Sequence, residues 1–227
     1  MMEYFLKDLF YKLGVYRIAK HYLQKPYLNL VGFFFQFSAN VAIRKFIQAM
    51  QDNNYTYWLE FGTLLGAIRE QGMLSHDTDI DVAMHAEDWH PGLEHILRHD
   101  GFKLKKRARL LTGEVIEETY TYKTARVDIF YAYRKGEHLI LYDHETTGNM
   151  SPNECIRRFG GLKVYENKVQ HFDIAPYPFC DYQACVPGNY YQHLELLYGP
   201  HFMIPDKNWS LTSRTVRKET EYLARIE

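Results

Sequence analysis

The residue types best suited to chemistry lie in WLEFGTLLGAIREQGMLSHDTDIDVAM, residues 58–84, where a Gly62-Thr63 pair precedes Asp79-Ile80-Asp81 in an apolar stretch. Strand residues two apart point the same way, so Asp79 and Asp81 would stand side by side. Their mutual repulsion is tolerable only if a cation or a basic group sits between them. Hard oxygen ligands suit Mg²⁺ or Mn²⁺. A third acid, Asp128, interrupts the apolar alternation of RVDIFYAY, where a lone carboxylate would be expensive to bury. Three acids converging on a metal would explain it. Backbone N–H groups at Gly62-Thr63 could hold phosphate oxygens, because glycine allows close backbone approach. Metal on one side and amides on the other describe a phosphoryl-transfer pocket, with Asp128 as candidate acceptor of the attacking hydroxyl's proton.

Each signal has an ordinary reading on its own. An Asp-x-Asp is commonly a solvated strand edge, and Gly-Thr before a helix is often only a cap. Their order, strand, turn, helix, strand, and then an acid in a later strand, is more specific.

The elements that must position these residues can be read from periodicity. Residues 3–25 read as a helix ended by Pro26, and a second helix runs from a Ser38 cap to Asp52-Asn53-Asn54. A strand at 57–61 leads through Gly62-Thr63 into the short helix LLGAIRE, closed by Gly72. A strand follows at 79–84, then a helix at about 87–99. Residues 101–142 alternate as strands do. Residues 143–186 hold short strand candidates among Gly, Pro and Asn, and helices at about 188–198 and 211–226 close the chain. The fold class expected is α+β, a mixed sheet flanked by helices with helical N- and C-terminal additions. Residues 1–37 form the N-terminal extension and 38–227 the catalytic domain.

Composition narrows the setting. With 227 residues, 46% apolar and 24% charged, the chain fits one globular domain. A net charge of -1 argues against a nucleic-acid polymer as partner. Cys155, Cys180 and Cys185 are an odd number and suggest no disulfide framework. The start, MMEYFLKDLF, lacks the features of a secretory signal. The apolar run at 27–37 is shorter than the roughly 18 residues of a membrane span. A cytoplasmic location is expected, at the inner face of the membrane if the basic N-terminal helix lies in an interface; helices with this pattern more often pack their apolar face on their own domain.

The run from Trp58 to Met84, with GTLLGAIR and DTDID, resembles the signature of the LicD family, which includes bacterial phosphocholine transferases and fukutin-related sugar-phosphate transferases. A later stretch, VPGNYYQHLELLYGPHFMIP at 186–205, is similar to the family's C-terminal motif. The resemblance implies a nucleotidyltransferase fold, with Gly62 and Thr63 as the glycine turn, Asp79 and Asp81 as the metal-binding pair and Asp128 as the third carboxylate. It implies transfer of a phospho-substituent such as phosphocholine from a CDP-linked donor to a hydroxyl of a glycan or lipid-linked glycan, releasing CMP, with Mg²⁺ or Mn²⁺ as cofactor. Two alternatives stay open: attack on a nucleoside triphosphate with release of pyrophosphate, or a non-catalytic role in a glycan-assembly complex. The chain departs from the family pattern in having Ser75-His76 where Pro-Trp is common, and Thr78 in place of an acid.

Other candidates carry competing readings. Arg69 could reach a donor phosphate and Arg126 could pair with Asp128, or both could form surface salt bridges. Asp77 could reach the acids or bond the amides of its own turn. Cys180 and Cys185 with Cys155, His171 or His193 make a loose zinc set. Tyr190, Tyr191 and Tyr198 could stack on a ligand, surround a choline ammonium, or simply pack a helix.

Overall fold

Apolar residues at helical spacing organise the first element. In the computed structural model, residues 16–148, 150–206 and 209–227 are described, and α1 spans Tyr16–Asp52. Phe35, Ala39, Ala42, Ile43, Phe46, Ile47 and Met50 are buried along one side of it, packed against the strand Ala125–Lys135. Each such Phe or Ile contributes about 1.5–3 kcal/mol by leaving water.

This helix corrects two expectations. Pro26 lies inside it and does not end it: a proline removes one backbone hydrogen bond, and as a boundary signal it is a tendency that downstream packing overrides. Ser38 is no cap; its buried hydroxyl meets the Thr124 hydroxyl at 2.6 Å, and Thr124 donates to the Phe34 carbonyl, also at 2.6 Å. The helix therefore passes unbroken from residue 37 to 38. The part of the N-terminal helix expected at 3–15 lies outside the described residues. Leu30–Asp52 is long and apolar enough to cross a membrane, although part of it is buried in the protein; composition makes such a segment indistinguishable from a core helix.

The remaining order is β1 (Tyr57–Leu59), α2 (Phe61–Glu70), β2 (Ile80–His85), α3 (Gly92–His99), β3 (Lys103–Leu110), β4 (Val115–Tyr122), β5 (Ala125–Lys135), β6 (His138–Glu145), α4 (Pro152–Phe159), β7 (Leu162–Gln170), β8 (Ile174–Phe179), β9 (Tyr182–Pro187), α5 (Tyr190–Tyr198) and β10 (Arg217–Ile226). It is an α+β architecture. The main sheet runs β1-β2-β5-β4-β3-β10-β7-β6, and β5 also pairs with β6, so six strands close on themselves while β2 and β1 extend from β5. The β2–β5 pair is parallel and the others are antiparallel.

Alternation sorts the β2–β5 pair into two faces. Ile80, Val82 and Met84 with Val127, Ile129 and Tyr131 join the core that includes the α1 residues, while Ala83, Phe130 and Ala132 belong to a second cluster with Trp58 and Phe61. Asp81 and Asp128 share the parity of this second set.

The helix expected at 211–226 is a correction: Leu211–Ser213 forms one short turn and Arg217–Ile226 is β10, paired with both β3 and β7. RKETEYLARI is rich in helix formers, and a register shift between Glu219 and Leu223 removes the period-two signal that would have marked a strand. Pairing on both edges overrides the propensity. Of the two closing helices expected, the one at about 188–198 forms, as α5, and the one at 211–226 does not. The helix expected from residue 87 starts later, at Gly92.

Candidate active site

The turn into α2 starts earlier than the sequence suggested. The helix begins at Phe61, so Gly62 and Thr63 belong to its first turn, and its left-handed cap is Gln71 (φ 54°), one residue before Gly72. Phe61 itself has φ 44°, a strained value for a bulky residue of the kind that gathers at functional sites. Three interactions hold this bend. Glu60 accepts from the Phe61 amide at 3.1 Å and from Trp58 Nε1 at 2.8 Å, and meets His193 Nε2 at 2.7 Å. Glu60 and His193 are both buried. Burial raises the Glu60 carboxyl, but the His193 charge and these donors bring it below the ordinary range.

The bend is joined directly to the acids. Gly62 N–H donates to Asp81 Oδ2 at 3.2 Å, Asp81 N–H donates to Thr63 Oγ1 at 2.8 Å, and Glu60 N–H donates to the Asp81 carbonyl at 3.1 Å. The amides expected to cradle phosphate are thus partly committed: Phe61 and Leu64 donate to Glu60 and Gly62 to Asp81. The second glycine of GTLLGA has a steric reason. A Cβ on Gly66 would lie 2.5 Å from the Gly72 carbonyl oxygen, so only glycine lets α2 rest on the loop that leads to the acids.

Asp79, Asp81 and Asp128 come together, with one carboxylate oxygen of each within 4.8 Å of the others. Asp81 lies opposite Asp128 in the parallel β2–β5 register, and Asp79 sits one residue before β2. Arg126, two residues from Asp128 on β5, bridges them, with Nε 2.9 Å from Asp128 Oδ2 and its other arm on Asp79. Thr119, opposite Asp128 on β4, donates its hydroxyl to Asp128.

Burial and the neighbouring acids raise Asp81 well above the ordinary carboxylate range, with Arg126 and the Gly62 amide opposing. Burial pushes Asp128 up to about 6 against Arg126, with Glu117 adding to the rise. Asp77 is raised to about 7 by burial, despite the Leu74 amide that donates to it at 2.9 Å; Asp79 and Glu70 add to the shift. Four acids crowd here against one intimate cation, Arg126. An all-oxygen donor set with excess negative charge fits a hard divalent ion such as Mg²⁺.

Among the described residues this is the one group of three or more acidic, His or Cys side chains close enough to share a metal. The zinc set does not assemble: Cys155 is buried and accepts from the Thr147 amide at 3.2 Å, while Cys180 is exposed. Arg69 donates to the carbonyls of Phe202 and Ile204 and lines a cavity of about 640 Å³ beside Gly62 and Asp77. Tyr190 and Tyr191 pack on Tyr177 and Phe202, whereas Tyr198 faces Trp209 across the cavity wall at 4.8 Å between ring centres.

The profile described as "LicD/FKTN/FKRP, nucleotidyltransferase domain" matches residues 54–189, a stretch that holds the bend, the three carboxylates and the sheet between them. The chain belongs to the LicD family. Among its relatives, the ribitol-5-phosphate transferase FKTN of Mus musculus is 22% identical over 201 residues, covering 87% of this chain and 41% of the relative. The ribitol 5-phosphate transferase FKRP of Homo sapiens is 27% identical over 149 residues, 63% of this chain and 28% of the relative. A Caenorhabditis elegans protein is 41% identical over 86 residues, 36% of this chain and 22% of the relative. The chain therefore spans about two fifths, or less, of these relatives.

In this LicD-family chain, sequence reasoning did not find Glu60 or Thr119 as parts of the site, and it considered His193 only for the loose zinc set. Glu60 carried one usable signal, an acid between apolar residues two positions before Gly62. Nothing local could pair it with His193, 133 positions away.

Proposed function

We propose that the chain is a metal-dependent transferase that moves a phospho-substituent from a CDP-linked donor to a hydroxyl of a glycan. The observation that carries this reading is the convergence of Asp79, Asp81 and Asp128 beside Gly62, with more negative charge than Arg126 offsets. The family, and the ribitol-phosphate transferase activity of its relatives FKTN and FKRP, support a phospho-transfer reaction.

Asp79 and Asp81 would hold Mg²⁺, with Asp128 completing the set, and the ion when bound would offset charge on the donor's diphosphate. The chain's own groups do the rest. Gly62 N–H and Thr63 fix the Asp81 carboxylate and backbone, Arg126 aligns Asp79 with Asp128, and Thr119 fixes the orientation of Asp128. Asp128 accepts the proton of the acceptor hydroxyl, whose oxygen attacks the distal phosphorus as the bond to the bridging oxygen breaks and CMP departs.

Peripheral contact with a cytoplasmic membrane face belongs to the same reading. Leu30, Phe33, Phe34, Phe37 and Val41 are exposed along α1, and Arg17, Lys20 and Lys25 precede them in the sequence. Aromatic and aliphatic groups beside basic ones suit an anionic interface. The acceptor would then be a lipid-linked glycan.

The direct test is CMP release from CDP-linked compounds with Mg²⁺. Asp79→Asn or Asp81→Asn is expected to lower turnover by about a thousandfold or more with the melting transition intact. Near-normal turnover in either variant removes the metal assignment.

A further inference from the structure

The two sides of the cavity beside Gly62 and Asp77 are built differently. One is α2, through Gly62, Leu65 and Arg69; the other is the chain leaving α5, from Tyr198 to Asp206, which lines the cavity almost throughout. Beyond Tyr198 this second side has no regular structure, and its backbone amides bond locally: Phe202 N–H donates to the Gly199 carbonyl at 3.1 Å and Ile204 N–H to the His201 carbonyl at 2.8 Å. Met203 and Ile204 are exposed, while Phe202 is buried and packs on Tyr191 with ring centres 4.9 Å apart. Local turns and one buried ring leave such a segment free to swing.

Arg69 supplies the long-range tie. Its Nη2 donates to the carbonyls of both Phe202 and Ile204, the second at 3.3 Å, across 133 and 135 positions of the chain. Its Nε is buried without an acceptor. The guanidinium thus keeps its place although one donor goes unpaired, so the two carbonyls set its orientation. With Nη2 engaged and Nε enclosed, two of its three nitrogens are closed to a ligand, which leaves it poorly placed to grip a phosphate.

Both ends of the tie belong to the site. Gly62, in the first turn of α2, donates to Asp81. Arg69 lies seven residues further along the same helix, about 10 Å at 1.5 Å per residue. One rigid element therefore joins the acids to the far wall of the cavity. That wall and its surroundings are largely apolar, with Leu65, Leu74, Tyr198, Pro200, Phe202 and Trp209 among the lining residues. Such a lining suits the organic part of a ligand better than its phosphates.

We propose that Arg69 is a positioning residue for donor binding. It clamps the 202–204 segment to α2, so that the cavity holds the organic part of the donor in register with a diphosphate at the acids, and it does not itself bind phosphate. This rests on the reading of the acids as the donor's diphosphate site. Arg suits the role because two hydrogens of one nitrogen reach two carbonyls from a planar, always charged group.

The test combines hydrogen–deuterium exchange of the ligand-free protein with calorimetry of inorganic pyrophosphate, CDP and CDP-ribitol, each with Mg²⁺, on wild type, Arg69→Met and Arg69→Lys. Arg69→Met keeps the stem without the donors. It is expected to speed exchange of the amides of residues 201–204 by about tenfold or more while the sheet exchanges as in wild type. It should weaken CDP-ribitol by about tenfold and pyrophosphate by less than about threefold. Arg69→Lys keeps the charge without the fork and should recover part of both losses. The CDP arm assigns the cavity's occupant: a loss shared by CDP places the nucleoside there, and a loss confined to CDP-ribitol places the head group. Unchanged exchange at 201–204 overturns the clamp, and an equal loss for pyrophosphate and CDP-ribitol overturns the positioning role in favour of direct phosphate binding. If the Met variant does not fold, the Lys variant decides by the same comparison. A wild type that binds pyrophosphate but neither CDP compound counts against the CDP-donor reading, and exchange in the ligand-free protein still reports on the clamp.

Discussion

Glu60 and His193 show how much of the site rests on residues that touch no substrate. Both are buried, and they meet at 2.7 Å behind the bend that aims Gly62 at Asp81. Removing one partner of a buried ion pair leaves the other charge uncompensated, which costs about 3–5 kcal/mol. His193→Phe is therefore expected to lower the melting temperature by roughly 10 °C or more, and His193→Gln, which can still donate to Glu60, by clearly less. Equal and small effects in both variants would mean that the pair is not ionised. The stabilising share of Glu60 is present above its unfolded pKa and is lost as pH falls through its lower folded value.

At the scale of elements, α2 owes its position to a contact that only glycine allows. Gly66→Ala would bring a methyl to 2.5 Å from the Gly72 carbonyl oxygen, a backbone atom that cannot yield without moving the 72–79 loop. The expected result is a loss of about 1–3 kcal/mol together with weaker metal binding, because that loop leads into Asp77 and Asp79. Unchanged stability in chemical denaturation would show that the loop adapts freely. Helix α1 poses a different question, since its exposed side carries an aromatic group in which the Phe33 and Phe37 rings stand 4.9 Å apart. If this side rests on a membrane, the full chain should float with anionic liposomes, and Phe33→Ser with Phe37→Ser should reduce flotation severalfold. A chain lacking residues 1–25 should also float less. Equal flotation by all three proteins would end the membrane reading.

At the scale of the molecule, the acids make stability depend on pH in an unusual direction. Asp128 and Asp77 titrate near 6 and 7, and Asp81 is also raised, whereas unfolded aspartate titrates near 3.9. Between these values the folded protein holds more protons than the unfolded chain, so stability falls as pH rises through that window. Without divalent metal, the melting temperature should therefore drop between pH 5 and pH 7.5. Asp77→Asn should flatten the drop by a few degrees. Mg²⁺ should restore stability at pH 7.5 and have little effect at pH 5, where protonated carboxylates make poor ligands. A metal-free melting temperature that rises over this range in the wild type, with no Mg²⁺ effect, would contradict the shared site.

The sequence alone marked the first two strands, the helix between them and the acids Asp79, Asp81 and Asp128, because alternation, glycine spacing and an acid in an apolar run are local signals. It also marked α5 and its Tyr198-Gly199 end, where a helical period meets a residue that stops it. Three things were decided only by tertiary structure. Pro26 was overridden by the packing of the turns that follow it. RKETEYLARI became β10 because two strands were there to pair with it, and its register shift hid the alternation. Arg214 came to lie against Phe61, Tyr198 and Trp209 only through folding. Local patterns record what a segment prefers and which face it can bury. Which distant residue supplies a buried charge, a pairing edge or a ring face depends on contacts between segments far apart in the chain, and no local pattern encodes them.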